Sequence, residues 1–429
     1  MNVCGAAPPP SRSPLRRRDL IIVVTLAVTL RLAAAWAIPL GYGPSFNCAP
    51  DEAGHFWAAR ELALGHTATW PEGLSIYSAY LPSQYLAHAA CALLVPRFDR
   101  PWLYRVPLEA ERVRGYPLVR LGSILLGAVT VLALALAATT WTDARAAGLT
   151  AGAVAALYPQ LVFVDAYTNG DAYTVAAGAL LVLALARWAR AGESGAGLGG
   201  LGAALGAVLL GKPSGYAILP PTLCWIGWAA LRGRIGVSAI ARAFVLTLAV
   251  AGPMLAWNAV RNGGDVLGLA HYRLFLQGPY RPTAVATVPN AIATFTRLLT
   301  TSAFGRLANM SLPLDTSLLV AALAFLLVGI GAALARLRTA DRLRRRGAIW
   351  LATTSALAVA FVASNSWLVD FQPQGRYLLL FAVLLTIVAA WAPRGLARPF
   401  WRAWPALYVA FLAVAALATE VLLFRRPCG

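Results

Sequence analysis

Apolar runs of about 20 residues recur along almost the entire chain, and short polar segments separate them. A helix of that length crosses about 30 Å of hydrocarbon and satisfies its own backbone hydrogen bonds there. Hydrophobic residues make up 59% of the sequence and charged residues only 12%, well below the charged share of soluble domains. The chain is therefore predicted to be an all-α, polytopic transmembrane helix bundle of about eleven spans.

The formal net charge of +19 comes from arginines that cluster in short loops between alternate apolar runs. The positive-inside rule assigns these loops to the cytoplasm, and a nucleic-acid partner is not expected from this pattern. Residues 1–19, which are rich in proline and arginine, are predicted to form a disordered cytoplasmic tail. Residues 20–424 are predicted to form one transmembrane domain, with long extracytoplasmic loops at about 41–116 and 258–311. Juxtamembrane helices are expected in the first of these loops.

A short helix from Pro50 to Leu64 is predicted directly after the first span. It has proline at its first position, acidic residues in its first turn and Gly65 beyond its end. On this helix Asp51 and His55 lie four residues apart and share one face. The helix dipole favours an ionised Asp51, as a general base or metal ligand requires. Acids that only complement the dipole of an interfacial helix would give the same pattern, and both interpretations remain open.

Two further features of this region concern its structure. Arg31 interrupts the first apolar run, and a charge at that depth is expected to face a partner or a wet cavity. Cys48 and Cys91 lie in the same predicted outer loop, so a disulfide between them is an open alternative.

Polar residues also flank other predicted spans on the extracytoplasmic side. Asp171 lies where the fourth span begins and is either a helix N-cap or a site residue. Lys212, the only lysine, lies at a break between the fifth and sixth spans and is either an anion contact or a snorkelling anchor. All four histidines fall in predicted outer segments. Side chains capable of chemistry are thus concentrated on one face.

The predicted sidedness restricts the class of reaction. The cytoplasmic loops are too short for a nucleotide-binding domain, and the sequence has neither a P-loop nor a strand-borne Gly-x-Gly-x-x-Gly. An enzyme would therefore act outside, where activated groups usually arrive on a lipid carrier such as a polyprenyl phosphate. Displacing a lipid phosphate requires a carboxylate to deprotonate the acceptor and cations to hold the leaving group. Residues of both kinds lie at the predicted outer ends of spans: Asp51, Asp171, Lys212, Arg261 and Arg376.

Five short motifs follow one another on this predicted outer side. They are an acidic pair with a histidine (Asp51, Glu52, His55), Asn-x-Asp (Asn169, Asp171), Lys-x-Ser-Gly (Lys212, Ser214, Gly215), Trp-x-x-x-Arg-Asn (Trp257, Arg261, Asn262) and Gln-Gly-Arg-Tyr (Gln374 to Tyr377). Their order resembles the GT-C superfamily of polytopic glycosyltransferases, especially bacterial members near protein O-mannosyltransferases and aminoarabinose transferases. Among these, the chain is most similar to a poorly characterised family of bacterial membrane proteins.

The resemblance implies that Asp51 is the catalytic base, with Glu52 and His55 beside it and Asp171 as a second acid. It also implies contacts to the lipid phosphate or the acceptor from residues at outer span ends: Lys212, Arg261, His271, Gln374, Arg376 and Tyr377. Some members of the superfamily use a divalent metal bound by such acids and others do not. A metal at Asp51 and Asp171 therefore stays open, and no cofactor is assigned.

We therefore predict a glycosyltransferase in the bacterial cytoplasmic (inner) membrane, with its active site on the extracytoplasmic side. It would move a hexosyl or pentosyl group, with inversion, from polyprenyl phosphate to a cell-envelope glycan, lipid or protein. The alternative is a flippase or transporter of a lipid-linked saccharide or small molecule. Transporters tend to have polar sites near the midplane and internal repeats, whereas the charges here, apart from Arg31, lie at span ends.

Overall fold

The computed structural model describes residues 15–39, 48–65, 81–94, 116–270, 283–308, 311–396 and 399–425. These residues form fifteen α-helices, several short 3₁₀ turns and a single pair of two-residue strands. The helices are α1 (Arg17–Ala37), α2 (Glu52–Ala63), α3 (Leu86–Ala92), α4 (Tyr116–Thr142), α5 (Arg145–Leu157), α6 (Pro159–Val164), α7 (Asp171–Arg190), α8 (Leu198–Leu209), α9 (Leu219–Leu231), α10 (Val237–Arg261), α11 (Ala291–Gly305), α12 (Thr316–Leu337), α13 (Arg342–Leu368), α14 (Leu379–Trp391) and α15 (Pro399–Arg425). Strands β1 (Arg306–Leu307) and β2 (Leu312–Pro313) pair antiparallel.

Eight helical segments of the described chain are long and apolar enough to cross a membrane. They contain α1, α4, α7, α10, α12, α13, α14 and α15. The predicted all-α, polytopic fold is therefore confirmed. The other three predicted spans fall on shorter segments: α5 with α6, α8, and α9 with the 3₁₀ turn that precedes it. The total of about eleven spans remains a prediction.

The third predicted span, expected at 146–163, is broken in two, because α5 ends at Leu157 and α6 begins at Pro159. Proline has no N–H, so the Ala155 carbonyl four residues earlier loses its helical hydrogen-bond partner. The Arg31 guanidinium replaces it, donating to the carbonyl oxygens of Ala155 at 3.4 Å and Ala156 at 3.3 Å. The charge in the first span thus satisfies the backbone at the break in the third.

Arg31 also has the partner that its position in the first span led us to expect. Its Nε donates to Oδ2 of Asp165 at 2.8 Å, and both side chains are buried. Gly127 of α4 makes room for the pair, because a Cβ there would overlap the Asp165 carboxylate and the Arg31 guanidinium. The pair therefore joins α1 to the chain that follows α6, and α4 packs closely over it.

The first helix begins inside the region predicted as a tail at 1–19. Asp19 accepts a hydrogen bond from the backbone N–H of Arg16 at 2.9 Å and two from the Arg145 guanidinium at 2.6 Å. These bonds stabilise the start of α1 and join it to the start of α5. Residues 1–14 of the predicted tail lie outside the described residues.

The two long loops predicted at about 41–116 and 258–311 contain helices close to those predicted and one that was not predicted. The helix expected at 50–64 is α2. A second juxtamembrane segment in the same loop forms the 3₁₀ turn Pro82–Tyr85 followed by α3. The second loop contains α11, which packs against the 3₁₀ turn before α14. A Cys48–Cys91 disulfide is excluded, because Cys91 is a free cysteine buried on α3 whereas Cys48 is disulfide-bonded.

Removing one partner of the Arg31–Asp165 pair should destabilise the fold strongly. In Arg31→Met the Asp165 carboxylate stays buried without its counter-charge, and we expect the free energy of unfolding to fall by about 3–5 kcal/mol. Thermal unfolding of the purified protein in detergent would measure the loss, with Arg402→Gln as a control at an exposed arginine. Equal unfolding temperatures for the two variants would contradict a structural role for the pair.

Candidate functional site

Asp51 immediately precedes α2 and lies at the edge of a cluster of charged side chains. Its backbone has φ +67°, in the left-handed region that residues other than glycine rarely adopt. Its side chain is 35% exposed, and Oδ2 lies 3.5 Å from Nη2 of Arg376. Solvent thus reaches Asp51 more readily than its partner Arg376. Asp51 precedes the helix, so the prediction that it lies in the first helical turn is wrong.

Arg376 is held in a 3₁₀ turn, Gly375–Leu378, at the start of α14. The turn packs tightly on α11, because the Gly375 N–H donates to Ser302 Oγ at 2.6 Å and a Cβ on Gly375 would overlap the Ala303 backbone. The Arg376 guanidinium lies 5.5 Å from the centre of the Tyr377 ring. Its buried Nε has no hydrogen-bond acceptor among the described residues. The cation facing Asp51 therefore keeps a free donor.

A second ion pair lies at the start of α7. Nζ of Lys212 is 2.8 Å from Oδ1 of Asp171, and both side chains are buried. The helix is capped by Asn169, whose Oδ1 accepts the N–H groups of Asp171 at 2.8 Å and Ala172 at 3.0 Å. The interpretation of Asp171 as the N-cap is therefore wrong, since Gly170 occupies that position and the Asn169 side chain accepts the first N–H groups of the helix. Lys212 does not extend into solvent as a snorkelling anchor would, because its buried ammonium pairs with Asp171.

Glu52 lies beside Asp51 in sequence but points into the protein, where it is fully buried. Its two oxygens accept hydrogen bonds from Arg120 at 2.7 and 2.6 Å, and Oε1 also accepts the Thr168 N–H at 2.9 Å. Arg120 in turn donates to the carbonyls of Ala35, Ile38 and Pro39 after the last turns of α1. Sequence reasoning missed Arg120, although an arginine inside an apolar span was a usable signal. Glu52 and Arg120 fix the start of α2, and thereby Asp51.

The two histidines of this region are buried and uncharged at neutral pH. His55 Nδ1 lies 2.7 Å from the Tyr85 hydroxyl, and His88 Nε2 lies 2.8 Å from Ser123 Oγ. Burial holds the pKa of His55 well below 6.5, with further lowering by the charges of Lys212 and Arg376. Burial likewise lowers the pKa of His88 to about 4. His55 is thus a neutral side chain that lies within electrostatic range of both cations.

A small cavity lies beside the Asp51–Arg376 pair, with Pro50 and Arg376 in its lining. Its lining combines amide, hydroxyl, aromatic and guanidinium groups: Pro50, Gln160, Phe163, Tyr167, Ser302, Arg306, Gln374 and Arg376. Burial and the charge of Arg297 hold the pKa of Arg306 below its usual value. Gln160 and Arg306 were not predicted from the sequence. An amide directly after the proline that breaks the third span was the available signal for Gln160.

The remaining predicted site residues are placed as follows. Tyr377 Oη donates to Gln372 Oε1 at 3.3 Å, and Gln374 Nε2 donates to the same oxygen at 3.4 Å. Arg261 is the last residue of α10, with its guanidinium 5.4 Å from the Trp257 ring of the same motif. His271 lies outside the described residues. The structure thus brings Asp51, His55, Asp171, Lys212 and Arg376 together, and joins Gln374 to the same cavity.

No protein-family model matches this chain, and no curated protein matches its sequence. Solved structures do match its fold. The aminoarabinose transferase ArnT of Cupriavidus metallidurans, bound to undecaprenyl phosphate, aligns with a TM-score of 0.52 and 14% identity over 94% of this chain and 75% of its own. The oligosaccharyltransferase AglB of Archaeoglobus fulgidus, in complex with an inhibitory peptide and a dolichol-phosphate, aligns with a TM-score of 0.52 and 14% identity over 96% of this chain and 55% of its own.

A structure of the Archaeoglobus fulgidus oligosaccharyltransferase in complex with Zn and sulfate aligns with a TM-score of 0.51 and 15% identity, over 95% of this chain and 53% of its own. The present chain therefore spans about half the length of the archaeal enzyme and three quarters of ArnT. Both proteins are GT-C membrane glycosyltransferases. The predicted resemblance to the GT-C superfamily is confirmed at the level of the fold.

The buried His88 should make the fold sensitive to mild acid. Because its folded pKa is depressed to about 4, its contribution to stability is complete above pH 6.5 and is lost as the pH falls from there to about 4. The unfolded chain takes up a proton in this window and the folded chain does not. Between pH 7 and pH 4, the free energy of unfolding of the wild-type protein should therefore fall by about 3 kcal/mol more than that of His88→Gln.

Unfolding free energies across this pH range, for both proteins in detergent, would measure the difference. Above pH 7 both side chains are neutral, so any gap there reports packing and serves as the control. Parallel stability curves from pH 7 to 4 would show that His88 titrates normally in the folded protein.

Proposed function

We propose that this protein, which shares the GT-C fold, transfers a sugar from a polyprenyl phosphate to an extracytoplasmic acceptor. The observation that carries the proposal is the pairing of a partly exposed carboxylate, Asp51, with a buried guanidinium, Arg376, which lines a small cavity. General-base catalysis needs a reachable carboxylate, and a departing phosphate needs fixed positive charge. Both requirements are met at this one place.

The donor class is inferred from the cations. Arg376, Lys212 and Arg306 bring three positive charges to the region of the cavity, and the unused Nε of Arg376 would donate to a phosphate oxygen. Guanidinium groups bind phosphate through paired hydrogen bonds. The structures of ArnT and AglB, which share the fold, contain undecaprenyl phosphate and a dolichol-phosphate respectively. A polyprenyl-phosphate sugar therefore fits this site best.

The proposed reaction is a single displacement with inversion. Asp51 accepts the proton of the acceptor hydroxyl while the acceptor oxygen forms a bond to the anomeric carbon. The bond between that carbon and the phosphate oxygen breaks, and its electron pair leaves with the lipid phosphate. Arg376 and Lys212 stabilise the charge that develops on this phosphate. Asp171 holds the Lys212 ammonium at 2.8 Å and thereby fixes its position.

The other predicted site residues receive supporting roles. Glu52 is a positioning residue, because both its oxygens face Arg120 and not the cavity. His55 is also a positioning residue, buried as a neutral ring against Tyr85. Gln374 lines the cavity and would bind sugar or acceptor hydroxyls, with Tyr377 beside it. Arg261 and His271 remain proposed contacts of the lipid phosphate or the acceptor.

A divalent metal fits the described residues poorly. They contain no group of three or more histidine, cysteine, aspartate or glutamate side chains that could hold an ion. Asp51 and Asp171 face Arg376 and Lys212 respectively, so a metal would have to displace both cations. The steps proposed above therefore use only side chains of this chain.

The proposed setting is the bacterial inner membrane, with the site on the extracytoplasmic side and a glycan, lipid or protein of the cell envelope as acceptor. The alternative transporter function finds less support in the polar residues. Arg31, the main charge within a span, is occupied by Asp165 and by the carbonyls of Ala27, Ala155 and Ala156. It is therefore a structural charge, and the groups available for chemistry lie at span ends.

Replacing the proposed base should abolish transfer. In Asp51→Asn the acceptor proton has no base, and we expect the rate of label transfer from a radiolabelled polyprenyl-phosphate sugar to fall by about 10²–10⁴-fold. The matched control is Asp315→Asn, an exposed acid at the start of α12, which should keep its activity because asparagine also caps helices. Size-exclusion profiles would confirm that both variants fold. An Asp51→Asn variant that transfers nearly as well as Asp315→Asn would refute the assignment.

Chelation should leave the transferase active. Because cationic side chains already face both acids, we expect purified protein treated with EDTA and then desalted to retain its transfer rate. The measurement is label transfer before and after treatment, and again after Mn²⁺ or Mg²⁺ is added. Activity that disappears with EDTA and returns with the metal would instead place an ion between Asp51 and Asp171.

A further inference from the structure

Four guanidinium groups surround one indole ring at the opposite end of the bundle from the candidate site. The guanidinium carbons of Arg232, Arg234 and Arg342 lie 5.3–5.4 Å from the centre of the Trp228 ring, and that of Arg346 lies 3.8 Å from it. Two of the arginines follow α9 and two belong to the first turns of α13. We call this group the Trp228 cluster.

The distance from the candidate site follows from α7. This helix starts at Asp171, in the candidate site, and ends at Arg190, shortly before Glu193, the acid that contacts the Trp228 cluster. Twenty helical residues span about 30 Å. The cluster therefore lies on the far face, which is the predicted cytoplasmic face, and cannot touch the reacting groups.

The positive charge of the cluster is only partly neutralised within the described chain. Glu193 pairs with Arg234 and Arg346 and also accepts the Trp225 indole N–H at 3.0 Å. The exposed Arg232 and Arg342 form no ion pair with an acid in the described part of the chain. The nearby Asp341 is engaged by Arg344 at 3.3 Å. One carboxylate thus pairs with two of the four arginines, and the charge of Arg232 and Arg342 favours an anion from outside the protein.

Apolar residues beside the cluster indicate that this anion is part of a lipid. Leu231 is 90% exposed and Val237 is 83% exposed, and both flank the loop that carries Arg232 and Arg234. Ile349, about one turn beyond Arg346 on α13, is 65% exposed. Leucine, valine and isoleucine side chains so exposed on a membrane protein face hydrocarbon, and a tryptophan ring among arginines is typical of the headgroup region. A soluble anion has no hydrocarbon chain that could pack against these apolar side chains.

We propose that the Trp228 cluster is a binding site for the phosphate of an anionic phospholipid in the leaflet on that face. Arg232 and Arg342 donate hydrogen bonds to the phosphate oxygens from either side, while the acyl chains lie against Leu231 and Ile349. Guanidinium forks match phosphate geometry, and basic pockets between membrane helices bind anionic headgroups. The bound phosphate would hold the loop after α9 against α13, where two like charges would otherwise repel.

The test measures lipid binding to the full chain, purified in detergent, by native mass spectrometry. The probes are phosphatidylglycerol, phosphatidylcholine and inorganic phosphate. The variant Arg232→Gln/Arg342→Gln is compared with the control Arg338→Gln/Arg402→Gln, which removes two exposed arginines outside the cluster. We expect the wild type and the control to prefer phosphatidylglycerol over phosphatidylcholine, and the cluster variant to bind phosphatidylglycerol roughly tenfold more weakly.

Two results would overturn the proposal. One is equal affinity of the cluster variant and the control for phosphatidylglycerol. The other is displacement of the lipid by inorganic phosphate at equal concentration, which would mean that the arginines bind a free anion. An unchanged unfolding temperature for the cluster variant shows that a lost affinity is not misfolding. Because the site lies on the opposite face, label transfer should persist in this variant.

Discussion

The buried ion pair between Glu52 and Arg120 is the contact on which the candidate site depends. A carboxylate with no exposed surface is stable only if each of its oxygens is satisfied, and here two guanidinium bonds and the Thr168 N–H do so. Arg120 uses its remaining donors on the last carbonyls of α1. One side chain thus fixes the end of the first span, the start of α2 and the segment before α7. Asp51 is held at the point where these three meet.

The same principle explains why the interior of an apolar bundle contains so many charges. Arg31 is paired with Asp165, and Lys212 with Asp171, because an unpaired charge in this environment costs several kcal/mol. Arg376 differs from these residues, since its contact to Asp51 is long at 3.5 Å and its Nε has no acceptor in the described chain. Its long contact to Asp51 and its unused Nε are the two observations that make Arg376 the proposed phosphate contact.

The fold was largely predictable from the sequence, because span length and loop charge follow from the physics of the bilayer. The break at Pro159 was not predicted, because a proline within an apolar run does not always end a membrane helix. Nor does any local sequence pattern show that Arg31 satisfies the carbonyl groups that the proline leaves free. In the site, motif order found the residues that meet near Asp51. It could not separate Glu52, which faces Arg120 in the interior, from Asp51, which is partly exposed beside Arg376, because adjacent acids differ only through tertiary contacts. Arg306 was missed because it lies on a short strand far from any motif.

The left-handed backbone of Asp51 accompanies the different orientations of two adjacent side chains, Asp51 and Glu52. Glu52 must point inward to meet Arg120, and a regular helical turn would carry the preceding side chain over the helix end and not toward Arg376. With a positive φ at Asp51, its carboxylate lies 3.5 Å from the Arg376 guanidinium while Glu52 stays buried. Such a conformation costs of order 1–3 kcal/mol, and the Glu52–Arg120 contact is strong enough to maintain it. The strain and the buried pair are therefore two parts of one arrangement, which presents a carboxylate to solvent at a fixed position beside a cation.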